Sequence, residues 1–134
     1  MKNRLWLIVL ALGMLMLSAC GGNVREMKTF QVDSAIYSQE EIAAAVETIR
    51  NEFWKEWDGC TLTELYYAGD TVSQAHQQWA DRNGADEVLV LLSSFDVDAS
   101  GGDGSLNPDS TYANWMWILV RSGNGPWQHV DHGY

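Results

Sequence analysis

Ile42, Val46, Ile49, Phe53 and Trp57 recur at spacings of four, three, four and four, a period that lays one apolar stripe along an α-helix. Ser38-Gln39-Glu40-Glu41 precedes the stripe as a capping box, in which Ser38 accepts from the Glu41 amide while Glu41 reaches back. Gly59 follows it and supplies a left-handed stop. Cys60 to Tyr67 is rich in β-formers and predicts a strand, although Leu65 and Tyr66 fall on opposite sides of it. Val72, Ala75 and Trp79 make a shorter helical stripe within Val72 to Arg82, ended by Asn83-Gly84. Val88 to Leu92 is apolar at every position and continues as a strand to about Phe95. Such a strand is covered on both faces or belongs to a strongly curved sheet. Tyr112 to Arg121 sets Trp115, Trp117 and Leu119 against Met116, Ile118 and Val120, again apolar on both sides. Ser122-Gly123-Asn124-Gly125 is a hairpin signal, and Trp127 to His132 returns as the antiparallel last strand. The predicted order is α-β-α-β-β-β. Its economical packing is an α+β domain with a long N-terminal helix across a curved four-stranded antiparallel sheet.

The N-terminus follows a different pattern. Lys2 and Arg4 precede an uncharged run from Leu5 to Ala19, short for the ~20 apolar residues that a bilayer core requires, and the chain turns polar at Gly21-Gly22-Asn23. This is the layout of a signal peptide. Leu17-Ser18-Ala19-Cys20 resembles the lipobox of bacterial lipoproteins. The resemblance implies that a diacylglycerol is joined to the Cys20 sulfur, that the chain is cut before Cys20, and that the new amine is acylated by a chain such as palmitate. Two or more acyl chains, at about 0.8 kcal/mol per buried methylene, hold a protein stably where one does not. The expected organisation is residues 1–19 as signal peptide, 20–37 as lipidated cysteine and tether, and 38–134 as one domain. The expected location is the cell membrane, lipid-anchored and facing outside the cytoplasm.

Removing residues 1–19 leaves 115 of the 134, enough for one core. It also removes Lys2 and Arg4 from eight basic residues, leaving six against eighteen acidic ones, a side-chain charge of about −12. That balance opposes nucleic acid and anionic surfaces, although a local basic patch escapes the average. With Cys20 taken by lipid, Cys60 has no intramolecular partner, and it reads as a small buried apolar residue.

Gly59-Cys60-Thr61-Leu62-Thr63-Glu64-Leu65, the Asp96 to Leu106 loop and Gly125-Pro126-Trp127 are together similar to small lipoproteins of Gram-positive gut bacteria. These carry a domain of unknown function with a cystatin-like or NTF2-like fold. The resemblance covers Tyr37 to Tyr134 and implies fold and location, with no activity to carry over.

Candidate chemistry concentrates in Asp96-Val97-Asp98-Ala99-Ser100-Gly101-Gly102-Asp103. Asp96, Asp98, Ser100, Gly102 and Asp103 match the first half of a calcium loop, whereas the twelfth position is Asn107 in place of a bidentate glutamate. The alternative is a solvated turn-rich loop. His129 and Asp131 are expected on one face of the last strand and His132 on the other, so no zinc site is predicted. Six tryptophans follow the signal peptide; they either build the helix–sheet core or line a pocket or contact patch. Two functional classes result. The first is a membrane-anchored, non-catalytic binding or interaction module. The second is a small pocket enzyme with a carboxylate general base such as Asp96 or Glu64. A purely structural envelope role is a third.

Overall fold

A computed structural model describes residues 21–134. The expected signal peptide and Cys20 lie outside the described residues. Helix α1 (Gln39–Glu56) starts on the expected capping box: Ser38 Oγ accepts from the Glu41 amide, and the Glu41 carboxylate accepts from the Ser38 amide. The four-residue turn repeat buries Ile42, Ala45, Val46, Ile49 and Phe53 along one face. Gly59, at φ 72°, takes the chain from the helix end into β1 (Cys60–Tyr67). A β-carbon there would lie 2.6 Å from Ser100 Oγ and 2.8 Å from Asp98 Oδ1, so the turn fixes the approach of the 98–103 loop.

The chain then forms two short helices, α2 (Asp70–Ala75) and α3 (Gln77–Arg82), where the sequence predicts a single helix. The break is at His76, whose side chain bonds the Val72 carbonyl at 2.7 Å. Strands β2 (Glu87–Val97), β3 (Ser110–Arg121) and β4 (Gln128–Gly133) complete a four-stranded antiparallel sheet in the spatial order β1-β2-β3-β4. The molecule is therefore an α+β domain with a helix packed on that sheet.

The doubly apolar β2 and β3 follow from cover on both faces. Leu89, Leu91, Phe95, Trp117 and Leu119 join Leu62, Leu65 and Tyr67 under α1. Val88, Val90, Ile118 and Val120 pack against Ala80, Val72 and Trp79 of the short helices. The buried Trp117 indole and Ser93 hydroxyl are paired, as such burial requires. Trp117 Nε1 donates to Ser93 Oγ at 2.7 Å, and Ser93 Oγ donates to the Trp115 carbonyl at 3.1 Å.

Residues 21–37, expected as a tether, are built into the domain from the start. Asn23 and Lys28 form parallel bridges to Thr61 and Glu64 along the free edge of β1, which protects that edge from pairing with another chain. Val24 and Tyr37 are buried in the main core. Near the segment's end, Ser34 Oγ donates to Asp70 Oδ1 at 2.6 Å and the Ala35 amide to Asp70 Oδ2 at 2.8 Å. The tether reading missed this because edge pairing uses backbone groups, which leave no side-chain period. Among the described residues no helix is long and apolar enough to cross a membrane.

Candidate functional site

The C-terminal turns of α1 carry Glu52 and Glu56 over the open end of the sheet, and Trp57 caps the helix. Trp57 sits 4.9 Å from Trp117, 6.1 Å from Trp115 and 5.2 Å from His132, ring centroid to centroid. His132 stacks on Trp115 at 5.8 Å. Between these rings and the 98–109 loop lies a pocket of about 290 Å³, walled by Trp57, Trp115, Leu106 and His132 and rimmed by Glu52, Glu56, Asp58 and Asp103. No lysine or arginine lines it among the described residues. The buried Trp115 Nε1 has no hydrogen-bond partner.

The two histidines meet here, against expectation. The register of β3 with β4 runs Trp117↔His132, Ile118↔Asp131 and then Leu119↔His129, so Val130 is an extra residue in the strand. This bulge breaks strict alternation. His129 and His132 share the face of Trp117 and Leu119, while Asp131 lies opposite Ile118 on the other face. His129 Nδ1 is 2.6 Å from Glu52 Oε2, and its Nε2 is 3.0 Å from the Asp131 carbonyl and 3.2 Å from His132 Nδ1. Glu52, His129 and His132 thus form a hydrogen-bonded row ending at the pocket wall. Packing against the rings desolvates His132 on one side, and with the adjacent His129 this lowers its pKa below the ordinary histidine value, although an edge stays solvent-exposed.

Cys60 also touches the pocket. Burial, reinforced by the negative charges of Asp98, Asp103 and Asp58, pushes its thiol up to about 11. It is therefore a thiol at neutral pH, unsuited to nucleophilic work.

The expected calcium residues point to separate partners. Asp96 is exposed on β2 and accepts from Thr111 Oγ1 at 2.7 Å. Asp98 Oδ1 accepts from the Ser100 amide at 2.9 Å and from the Ser100 hydroxyl. Asp103 Oδ1 accepts from the amide and hydroxyl of Ser105. Gly102, at φ 67°, turns the loop past Leu106 and Cys60. These serine bonds hold the Asp98 and Asp103 carboxyls below the usual carboxylate range. Among the described residues no group of three or more His, Cys, Asp or Glu side chains is placed to hold a metal. Asp96 and Glu64, considered as general bases, do not line the tryptophan pocket.

The six tryptophans divide between core and site. Trp117 and Trp127 are buried, Trp79 packs on the second core, Trp57 and Trp115 wall the pocket, and Trp54 is 47 % exposed. No family model, curated protein or solved structure matches the chain.

Proposed function

We propose that this protein is an extracytoplasmic lipoprotein, anchored by lipid on Cys20, whose domain is a non-catalytic binding module for a small ligand bearing a positively charged, ammonium-type group. The pocket carries the ligand reading. It combines the rings of Trp57 and Trp115 with four carboxylates and no lysine or arginine among its lining residues. An ammonium ion is attracted by an aromatic face, by roughly 0.5–2 kcal/mol depending on desolvation, and again by the nearby carboxylates. A concave, ring-walled site with a few oriented polar groups is also the usual form of a small-ligand pocket.

The membership in small lipoproteins of Gram-positive gut bacteria, the curvature of the sheet and the cystatin-like or NTF2-like assignment belong to the same proposal. They are supported by the motifs already quoted and by the helix packed on four antiparallel strands. The lipobox-like Leu17-Ser18-Ala19-Cys20 supports the anchor. Metabolic lipid labelling of the wild type and of Cys20→Ala tests it: label is expected on the wild type alone, and label retained by the variant refutes the assignment.

Titration with choline, followed by tryptophan fluorescence, tests the pocket. A saturable change is expected with choline and none with its neutral isostere, in which carbon replaces the ammonium nitrogen. An equal response to both, or no response to either, overturns the ligand class.

A further inference from the structure

We propose that Gly21 to Arg25 together with Trp54 form a membrane-contact face, so that the lipidated domain lies directly on the bilayer instead of hanging from a flexible tether. The inference rests on the Cys20 anchor proposed above. Gly21 is joined to Cys20 by one peptide bond, and it is already held by the fold. Its amide donates to Asp58 Oδ1 at 2.6 Å. The Gly22 amide donates to the carbonyls of Phe53 at 3.2 Å and Trp54 at 3.1 Å in the last turn of the helix, and the Asn23 amide donates to Cys60 O at 2.9 Å. Side chains at these positions would break the seat. A β-carbon on Gly21, at φ 107°, would overlap the Trp54 carbonyl, and one on Gly22 would come within 2.5 Å of Phe53 O and 2.7 Å of its ring. The lipid attachment is thus separated from a rigid body by one residue.

What that body presents at this end is Trp54, nearly half exposed, beside a shallow depression lined by Gly21 to Arg25, Asp96 and Asp98. Tryptophan partitions to the membrane–water interface, where its apolar ring and polar N–H are both accommodated. Arg25 is outnumbered by Asp96 and Asp98 in the same depression, which leaves it net negative. The contact is therefore aromatic rather than electrostatic and gains nothing from anionic lipid. Asp58, which holds Gly21, also rims the tryptophan pocket. The ligand site is consequently one hydrogen bond from the anchored end, close to the membrane surface.

The test uses the mature lipidated protein in phosphatidylcholine vesicles containing lipid with a nitroxide at the headgroup. Wild-type tryptophan emission is expected to be quenched more than that of Trp54→Phe. The excess is expected to survive high salt, not to rise when phosphatidylglycerol is added, and to be lost in a lipidated Gly21→Val, Gly22→Val variant. Equal quenching of wild type and Trp54→Phe, with the diacylglycerol mass present on Cys20, overturns the contact face and leaves the anchor standing. Absence of that mass overturns the anchor, and the face with it.

Discussion

Trp57 and Trp115 close on His132, so a proton on His132 places positive charge within the proposed cation site. The folded state lowers the His132 pKa and favours the neutral ring. Its contribution to stability is therefore present above the unfolded histidine value of about 6.5 and declines as pH falls through it, because the unfolded chain takes up the proton first. Thermal melts are expected to show that decline, and His132→Gln to flatten it. Choline binding should weaken over an overlapping, lower window, as the folded ring itself protonates. Asp103, held low by Ser105, stays charged there; Glu52, Glu56, Asp58 and His129 are the other titratable groups at the site, and a binding profile unmoved by His132→Gln would show that one of them carries the loss. Truncating Trp115 to Ala should weaken choline by about 1–2 kcal/mol, roughly tenfold, as measured by the same fluorescence titration. Arg121 is the other residue where charge is concentrated. It pairs with Glu41 and Glu87 and lies 4.3 Å from the Trp127 ring centroid, which joins the first turn of α1 to the end of the β2–β3 pair. Substituting Arg121 with Met should lower stability by about 1–3 kcal/mol in denaturant melts, since two partly covered carboxylates lose their partner.

Among the elements, β4 decides the site. A regular strand would have sent His129 and His132 to opposite faces. The bulge at Val130 brings both onto the Trp117 face. Deleting Val130 takes out the extra residue and leaves His129 and His132 two positions apart in a regular strand, still on one face, so the lowered His132 titration, followed by NMR, is expected to persist. The 98–109 loop is an element of another kind. Asp98 and Asp103 each turn back on a serine two residues ahead, so one oxygen of each already has donors. Millimolar calcium is accordingly expected to leave the melting temperature unchanged, and a calcium-dependent rise would show that the loop rearranges to bind. Helix α1 was readable in detail, down to the Ser38–Glu41 box, because capping and the apolar period are local properties. The break at His76 and the pairing of Asn23 and Lys28 with β1 were not; both depend on the sheet those residues lie against.

At the scale of the whole molecule, the sheet has a core on each side, and the larger one is built around Phe53, Phe95 and Trp117, all fully buried. Phe53→Ala should cost about 3–5 kcal/mol through lost contacts and a cavity. The exposed Trp54 next to it should tolerate Phe with little change in a melt. That contrast between adjacent residues on one helix follows from the apolar stripe, and the stripe itself was legible in the sequence. So were the four strands, the solvated acidic character and the unpaired Cys60, since each is a property of composition or of local periodicity. The pocket was not. Its walls come from residues as distant as Trp57, Leu106, Trp115 and His132, and the Trp density alone fits either a core or a site. The sequence by itself determined which segments become helix or strand and which faces must be buried, because these are set by short-range backbone geometry and side-chain period. Only the tertiary structure decided that the chain after Cys20 is seated on the helix end, that a one-residue bulge joins two histidines, and that two tryptophans are left facing carboxylates, because register, edge pairing and long-range packing fix those outcomes.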